Sequence, residues 1–185
     1  ILNLNMGAPF QPFSRAPQIR YRYKTGDIQI TGAALWQSQY LSQGPEGKSQ
    51  KYIKNSCVPE IYAGIDYKHK GLLIGAGIEM VSLTPRTQAT VEDKIYKVSE
   101  RITSLSYEVH MKYNSEKWLV AAKSVLGSNL TQTSMLGGYG IKSIDPRTGE
   151  QEYSPNRNSS SWINIVYGKT WKPAIFFGYM KNLGT

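Results

Sequence analysis

The sequence predicts an all-β protein, an antiparallel up-and-down transmembrane β-barrel with about eight strands in this chain, and three observations predict it. Four segments each hold two runs of period-2 alternation joined by a tight turn. The links between these hairpins are long and polar, so short and long connections alternate strictly, as tight periplasmic turns and outer loops do in outer-membrane barrels. A Tyr closes the first strand of every hairpin just before its turn, which places aromatic rings at one depth.

The first hairpin runs Ile19-Arg20-Tyr21-Arg22-Tyr23, turns within residues 24–27, and returns from Ile28 to Trp36. In the second, Ile61, Ala63, Ile65 and Tyr67 share one face and Glu60, Tyr62, Gly64 and Asp66 the other; it turns at 68–71 and returns from Leu72 through Ile74, Ile78 and Glu79 to Met80. The third is the most regular, with Leu105, Tyr107, Val109, Met111 and Tyr113 alternating with Ser104, Ser106, Glu108, His110 and Lys112. It turns at 114–117 and returns from Trp118 through Val120 and Ala122. The fourth holds Trp162, Ile163, Ile165 and Tyr167, turns at 168–170 and returns from Trp171 to Tyr179. Long outer loops are expected over 38–57, 84–101 and 127–159, within one domain spanning 1–185.

The period sorts the side chains into two sets. Ile61, Ile65, Ile74, Ile78, Leu105, Val109, Met111, Ile163 and Ile165 form an apolar face expected to meet lipid. Arg20, Arg22, Glu60, Asp66, Glu79, Glu108, His110, Lys112 and Lys123 form a mixed-charge face expected to line a pore. Tyr23, Tyr67, Tyr113, Trp118, Tyr167 and Trp171 stand one to three residues from a tight turn and are expected to form an interfacial girdle. A soluble barrel of the lipocalin type alternates as well, with its apolar face inward, and the sequence leaves open which face is inside.

Composition agrees with this division. The 13 Tyr far outnumber the 4 Phe, which favours rings with one wet end over rings in a dry core. No run approaches the roughly 18 apolar residues of a spanning helix, a test that does not bear on strands. The net charge of +9 is scattered along the chain with no basic face or run, so nucleic acid is not an expected partner. The single Cys57 gives no disulfide framework. The chain starts at Ile1-Leu2-Asn3 without a basic-then-apolar leader and ends without a terminal aromatic, so the expectation is a fragment of a larger barrel whose signal peptide is gone or whose start is internal.

A family resemblance rests on three groups of residues. Gly7-Ala8-Pro9-Phe10-Gln11-Pro12-Phe13-Ser14-Arg15 is the first; the second is Leu136-Gly137-Gly138-Tyr139 with Ile144-Asp145-Pro146-Arg147-Thr148-Gly149-Glu150-Gln151-Glu152-Tyr153. The third is Tyr167-Gly168-Lys169 with Gly178-Tyr179 and Lys181-Asn182-Leu183-Gly184. Together they resemble the porin-like outer-membrane proteins of Bacteroidetes, in the style of DcaP-like porins. The resemblance implies a barrel of more strands than eight, commonly a homotrimer in the Gram-negative outer membrane, in contact with lipid and lipopolysaccharide, and passing small hydrophilic solutes.

The residues point to no catalytic set, metal site or cofactor. Neither of the two histidines, His69 in a turn and His110 in a strand, has a Cys, Asp or Glu at ligand spacing. A pairing of His110 with a serine such as Ser106 is the one conceivable nucleophile and base, against the plainer reading of His110 as a pore-lining polar group. Gly75 and Gly77 are expected to ease strand curvature. The expected function is passive diffusion through a pore with a weak preference for anions, loops 84–101 and 127–159 being the candidates to fold inward and constrict it. A soluble ligand-binding barrel and an outer-membrane enzyme are the alternative classes.

Overall fold

Alternating sequences of this kind can close their backbone hydrogen bonds only by pairing with neighbours, and a meander of hairpins pairs each strand with the next. In the computed structural model, which describes residues 10–185, this is the arrangement. In chain order the elements are β1 (Gln18–Thr25), β2 (Ile28–Leu35), β3 (Gln43–Gly44), β4 (Gly47–Lys48), α1 (Lys51–Ser56), β5 (Glu60–His69) and β6 (Leu72–Leu83). There follow β7 (Gln88–Val91), β8 (Lys94–Lys97), β9 (Ile102–Asn114), β10 (Trp118–Ser128), a 3-10 turn at Thr131–Thr133, β11 (Tyr139–Ile144), β12 (Gln151–Pro155), β13 (Arg157–Tyr167) and β14 (Ala174–Gly184).

Eight of these strands form one antiparallel sheet in the order β1-β2-β5-β6-β9-β10-β13-β14. The fold is therefore all-β, and the sheet is a meander. Among the described residues it does not close: β1 and β14 are its two edges, so these eight strands do not make a barrel by themselves. Gly7, Ala8 and Pro9 of the first resemblance segment lie outside the described residues.

All four tight links fall at one end, here the turn end. Lys70 and Gly71 both take positive φ, 42° and 85°, which a two-residue hairpin turn of the primed type requires. Successive turns are tied to one another by backbone hydrogen bonds, Lys68 to Asp27, Asn114 to Gly71 and Gly168 to Lys117. The fourth link is wider than the alternation suggests: β14 starts at Ala174, leaving Trp171 in the link. Pro173 has no N–H to give to a ladder, which delays the strand.

The opposite, loop end is more structured than three polar loops would be. Each long connection folds a hairpin of its own, β3 with β4, β7 with β8 and β11 with β12, and the first also holds α1. The main apolar cluster is found here, where Tyr52 and Ile53 of α1 pack with Val81, Leu83 and Ile102 from the ends of β6 and β9, and Trp36, Tyr139 and Tyr153 lie against it. Glu100 is enclosed in the same region. Its carboxylate accepts from Arg86 Nε at 3.0 Å, the Tyr153 phenol at 2.7 Å and the Gln151 N–H at 2.8 Å, while Arg86 also reaches the carbonyl of Gly149 at 2.7 Å. Burial alone would raise the Glu100 carboxyl, but these donors together hold it below its ordinary value. The ion pair clasps the loop carrying β7 and β8 to the hairpin of β11 and β12.

Candidate functional site

The sheet has a bare face and a covered one, with apolar side chains on the first and polar and charged ones on the second. On the bare face Ile61, Ile65, Ile74, Ile78, Leu105, Val109 and Met111 are exposed, Ile65 at 51% and Val109 at 56%, and Ile163 and Ile165 are half-buried. On the other face Asp66, Glu79, Glu108, His110 and Lys123 are half-buried and Glu60 is buried. Arg20, Arg22 and Lys112 belong to that face too and are exposed. Tyr23, Tyr67, Tyr113, Trp118 and Tyr167 stand exposed on the bare face at the turn end, with the Trp118 and Tyr167 rings 4.6 Å apart across β10 and β13. Trp171, in the link beyond them, is 88% exposed.

Two elements cover the polar face. The segment from Phe10 to Pro17 runs across it, its Phe10 ring edge-on to Phe176 of β14 at 5.6 Å and its Pro17 carbonyl accepting from Trp36 N–H at 3.0 Å. Phe13 N–H donates to the Thr133 carbonyl at 2.8 Å, which joins this segment to the 3-10 turn. Within that turn Gln132 is fully buried, and Thr133 lines the same groove as Glu79. Of the two loops named as candidates for constriction, the one containing residues 127–159 lies on the polar face through this turn.

Register explains which polar groups meet. Lys24, Gln29, Asp66, Gly75, His110, Lys123, Trp162 and Gly178 are successive cross-strand partners across the whole sheet. Within this row Gln29 Nε2 donates to Asp66 Oδ2 at 3.3 Å, and His110 Nε2 lies 3.0 Å from Asp66 Oδ1. One row nearer the loops, Glu108 accepts from the Tyr62 phenol at 2.8 Å and forms an ion pair with Lys123. Glu60 lines the same groove and accepts from Gln37 Nε2 at 2.6 Å beneath the first loop.

The glycines of this face make space for side chains. A Cβ on Gly77 or Gly64 would meet the Tyr62 phenol, and one on Gly75 would meet Asp66 and His110. Close approach of the Tyr62, Asp66 and His110 side chains is thus one reason that glycine stands at these positions. The alternation of small and large residues along one face, Gly64, Gly75 and Gly77 beside Tyr62, was the available signal for this cluster.

Ser106 and His110 are not brought together. Ser106 Oγ bonds the backbone of Ser128 in both directions, and the two His110 ring nitrogens face Asp66 and Glu108. What the arrangement offers is a polar groove of about 410 Å³ on the covered face, walled by charges of both signs and roofed by Pro12, Phe13 and Ser14. No family model, curated protein or solved structure matches the chain.

Proposed function

We propose that the protein is part of an outer-membrane β-barrel of a Gram-negative cell, acting as a porin that lets small hydrophilic solutes diffuse through its polar interior. One observation carries the reading: isoleucines, Leu105, Val109 and Met111 point outward uncovered while carboxylates, His110 and Lys123 are enclosed on the opposite face. In water such a sheet would leave a large apolar area hydrated, at about 25 cal/mol per Å²; against hydrocarbon it is the favoured arrangement. A lipocalin-type sheet would bury Ile65 and expose Asp66.

Two further features support it. The bare-face hydroxyls of Ser124 and Ser161 satisfy each other at 2.8 Å, as polar groups facing hydrocarbon must. Among the described residues the two edges β1 and β14 leave ladders unpaired, which a membrane does not tolerate, so additional strands of the same barrel are the partners that fit them. The porin-like proteins of Bacteroidetes that the loop segments resemble have this larger architecture, commonly trimeric. The segment from Phe10 to Pro17 and the turn at Thr131–Thr133 would narrow the pore, and Arg20 and Arg22 on its open side suit a weak anion preference.

Fractionation tests the reading directly. The native protein is expected with outer membranes, to need detergent for dispersion, and to make liposomes permeable to arabinose. A monodisperse protein without detergent would remove the proposal.

A further inference from the structure

The groove on the covered face has an uncommon distribution of charge. Arg20 and Arg22 form one wall, on the edge strand β1, while Asp66 of β5 and Glu79 of β6 stand on the other. With strands about 4.8 Å apart, two to three strand spacings set these walls roughly 10 to 14 Å apart at the backbone. The floor between them mixes small and larger residues: Arg20 is paired with Ala33 and Arg22 with Thr31, and across the next strand Thr31 meets Gly64, while Gln29 and Tyr62 also line the groove. Among the described residues neither arginine forms an ion pair; Arg20 donates only to Gln18, at 2.6 Å. On the opposite wall Lys123 is paired with Glu108, and Asp66 is held by Gln29 at 3.3 Å and lies 3.0 Å from His110 Nε2, so a bound ammonium shares Asp66 with these two groups.

Opposite charges that face each other across a floor too wide for direct pairing, beneath a roof that thins the water between them, favour a solute that carries both charges itself. Taking the channel reading as its basis, we infer that this groove is a selectivity site for zwitterions, an amino acid or short peptide. Its carboxylate turns toward Arg20 and Arg22, where guanidinium forks match a carboxylate geometrically. Its ammonium turns toward Asp66 and Glu79. At about 410 Å³ the groove is within the range of small-molecule sites, about 300–1,000 Å³. Neutral solutes gain nothing from either wall, and singly charged ones are attracted by one wall and repelled by the other.

Binding of dialanine to the detergent-purified protein, measured by equilibrium dialysis at neutral pH, tests this against N-acetyl-dialanine, which has only the negative charge, and dialanine amide, which has only the positive. Dialanine is expected to bind about tenfold more tightly than either. Arg20→Ala with Arg22→Ala should remove that advantage and leave the amide as the better ligand; Glu79→Gln should shift preference toward the acetylated form. Three probes of equal affinity, or a dialanine preference that survives loss of both arginines, would overturn the inference. Arabinose entry into liposomes, followed in parallel, separates the two ideas. Sugar entry without a dialanine preference leaves the channel and removes the zwitterion site, whereas arginine-dependent dialanine binding without sugar entry leaves the site and removes the channel.

Discussion

Tyr62 and Glu108 meet across three strands of the covered face, the phenol donating to Oε1 at 2.8 Å over the bare backbone of Gly64 and Gly77. The contact exists because neither glycine carries a Cβ. Gly77→Ala is therefore expected to push the phenol off its carboxylate and destabilise the sheet by about 1–3 kcal/mol. In a Tyr62→Leu background the same change should cost much less, and Gly32→Ala, with open space at its Cβ, should cost nothing. Heat unfolding in detergent, followed by loss of the β-sheet signal, measures all three.

Lys123 and Glu108 form a mostly enclosed ion pair, 13% and 17% exposed at their side chains. Lys123→Met leaves the carboxylate with the Tyr62 phenol and a more distant His110, and is expected to cost about 3–5 kcal/mol. Adding Glu108→Gln to it should recover most of the loss, because the uncompensated charge is then gone. A thermal shift of the single variant that the double variant does not reverse would contradict this account of the pair.

The loop end should loosen in acid. Glu100 is held below its ordinary carboxylate value by Arg86, Tyr153 and Gln151, so it binds a proton more readily unfolded than folded. Its contribution is thus complete above the unfolded carboxylate range, near pH 4, and is lost as the pH falls through the lower folded value. Hydrogen exchange across β11 and β12 is expected to be slow at neutral pH and to accelerate below that range, once corrected for intrinsic rates. Glu100→Gln should show the faster exchange at every pH.

Much of the sheet is legible in the sequence, and the reasons for the misses are physical. Wherever one face is apolar and the other polar, as from Leu105 to Tyr113, the period gives the strand directly. It fails in Arg157–Ser161, where serines occupy both faces and no alternation exists; the pairing with β10 and the bond between Ser161 and Ser124 make that segment a strand. It also fails for β3, β4, β7 and β8, which are too short to show a period. The covered face was legible as a set of charges. Which of them meet was not, because cross-strand register and the space left by glycines decide it, and the covering segment from Phe10 to Pro17 has no periodic signature at all.

If hydrocarbon is the solvent of the bare face, charge placed there should be costly in proportion to depth. Ile65 lies midway along β5 and is exposed. Ile65→Lys is expected to destabilise the protein in bilayers by about 2–4 kcal/mol, whereas near a strand end the same change should cost about 0–1 kcal/mol. Unfolding by guanidinium in lipid vesicles gives the comparison.

The central claim, that this sheet meets lipid on one face and water on the other, is tested most directly by nitroxide accessibility in proteoliposomes. With Cys57 replaced by serine, single labels at Ile30, Ile65 and Val109 on the bare face are compared with labels at Gln29 and Lys112 on the covered face. The account predicts that the first three collide with dissolved oxygen and are shielded from a water-soluble nickel chelate, and that the other two show the opposite. Free access of the chelate to positions 30, 65 and 109 would contradict it.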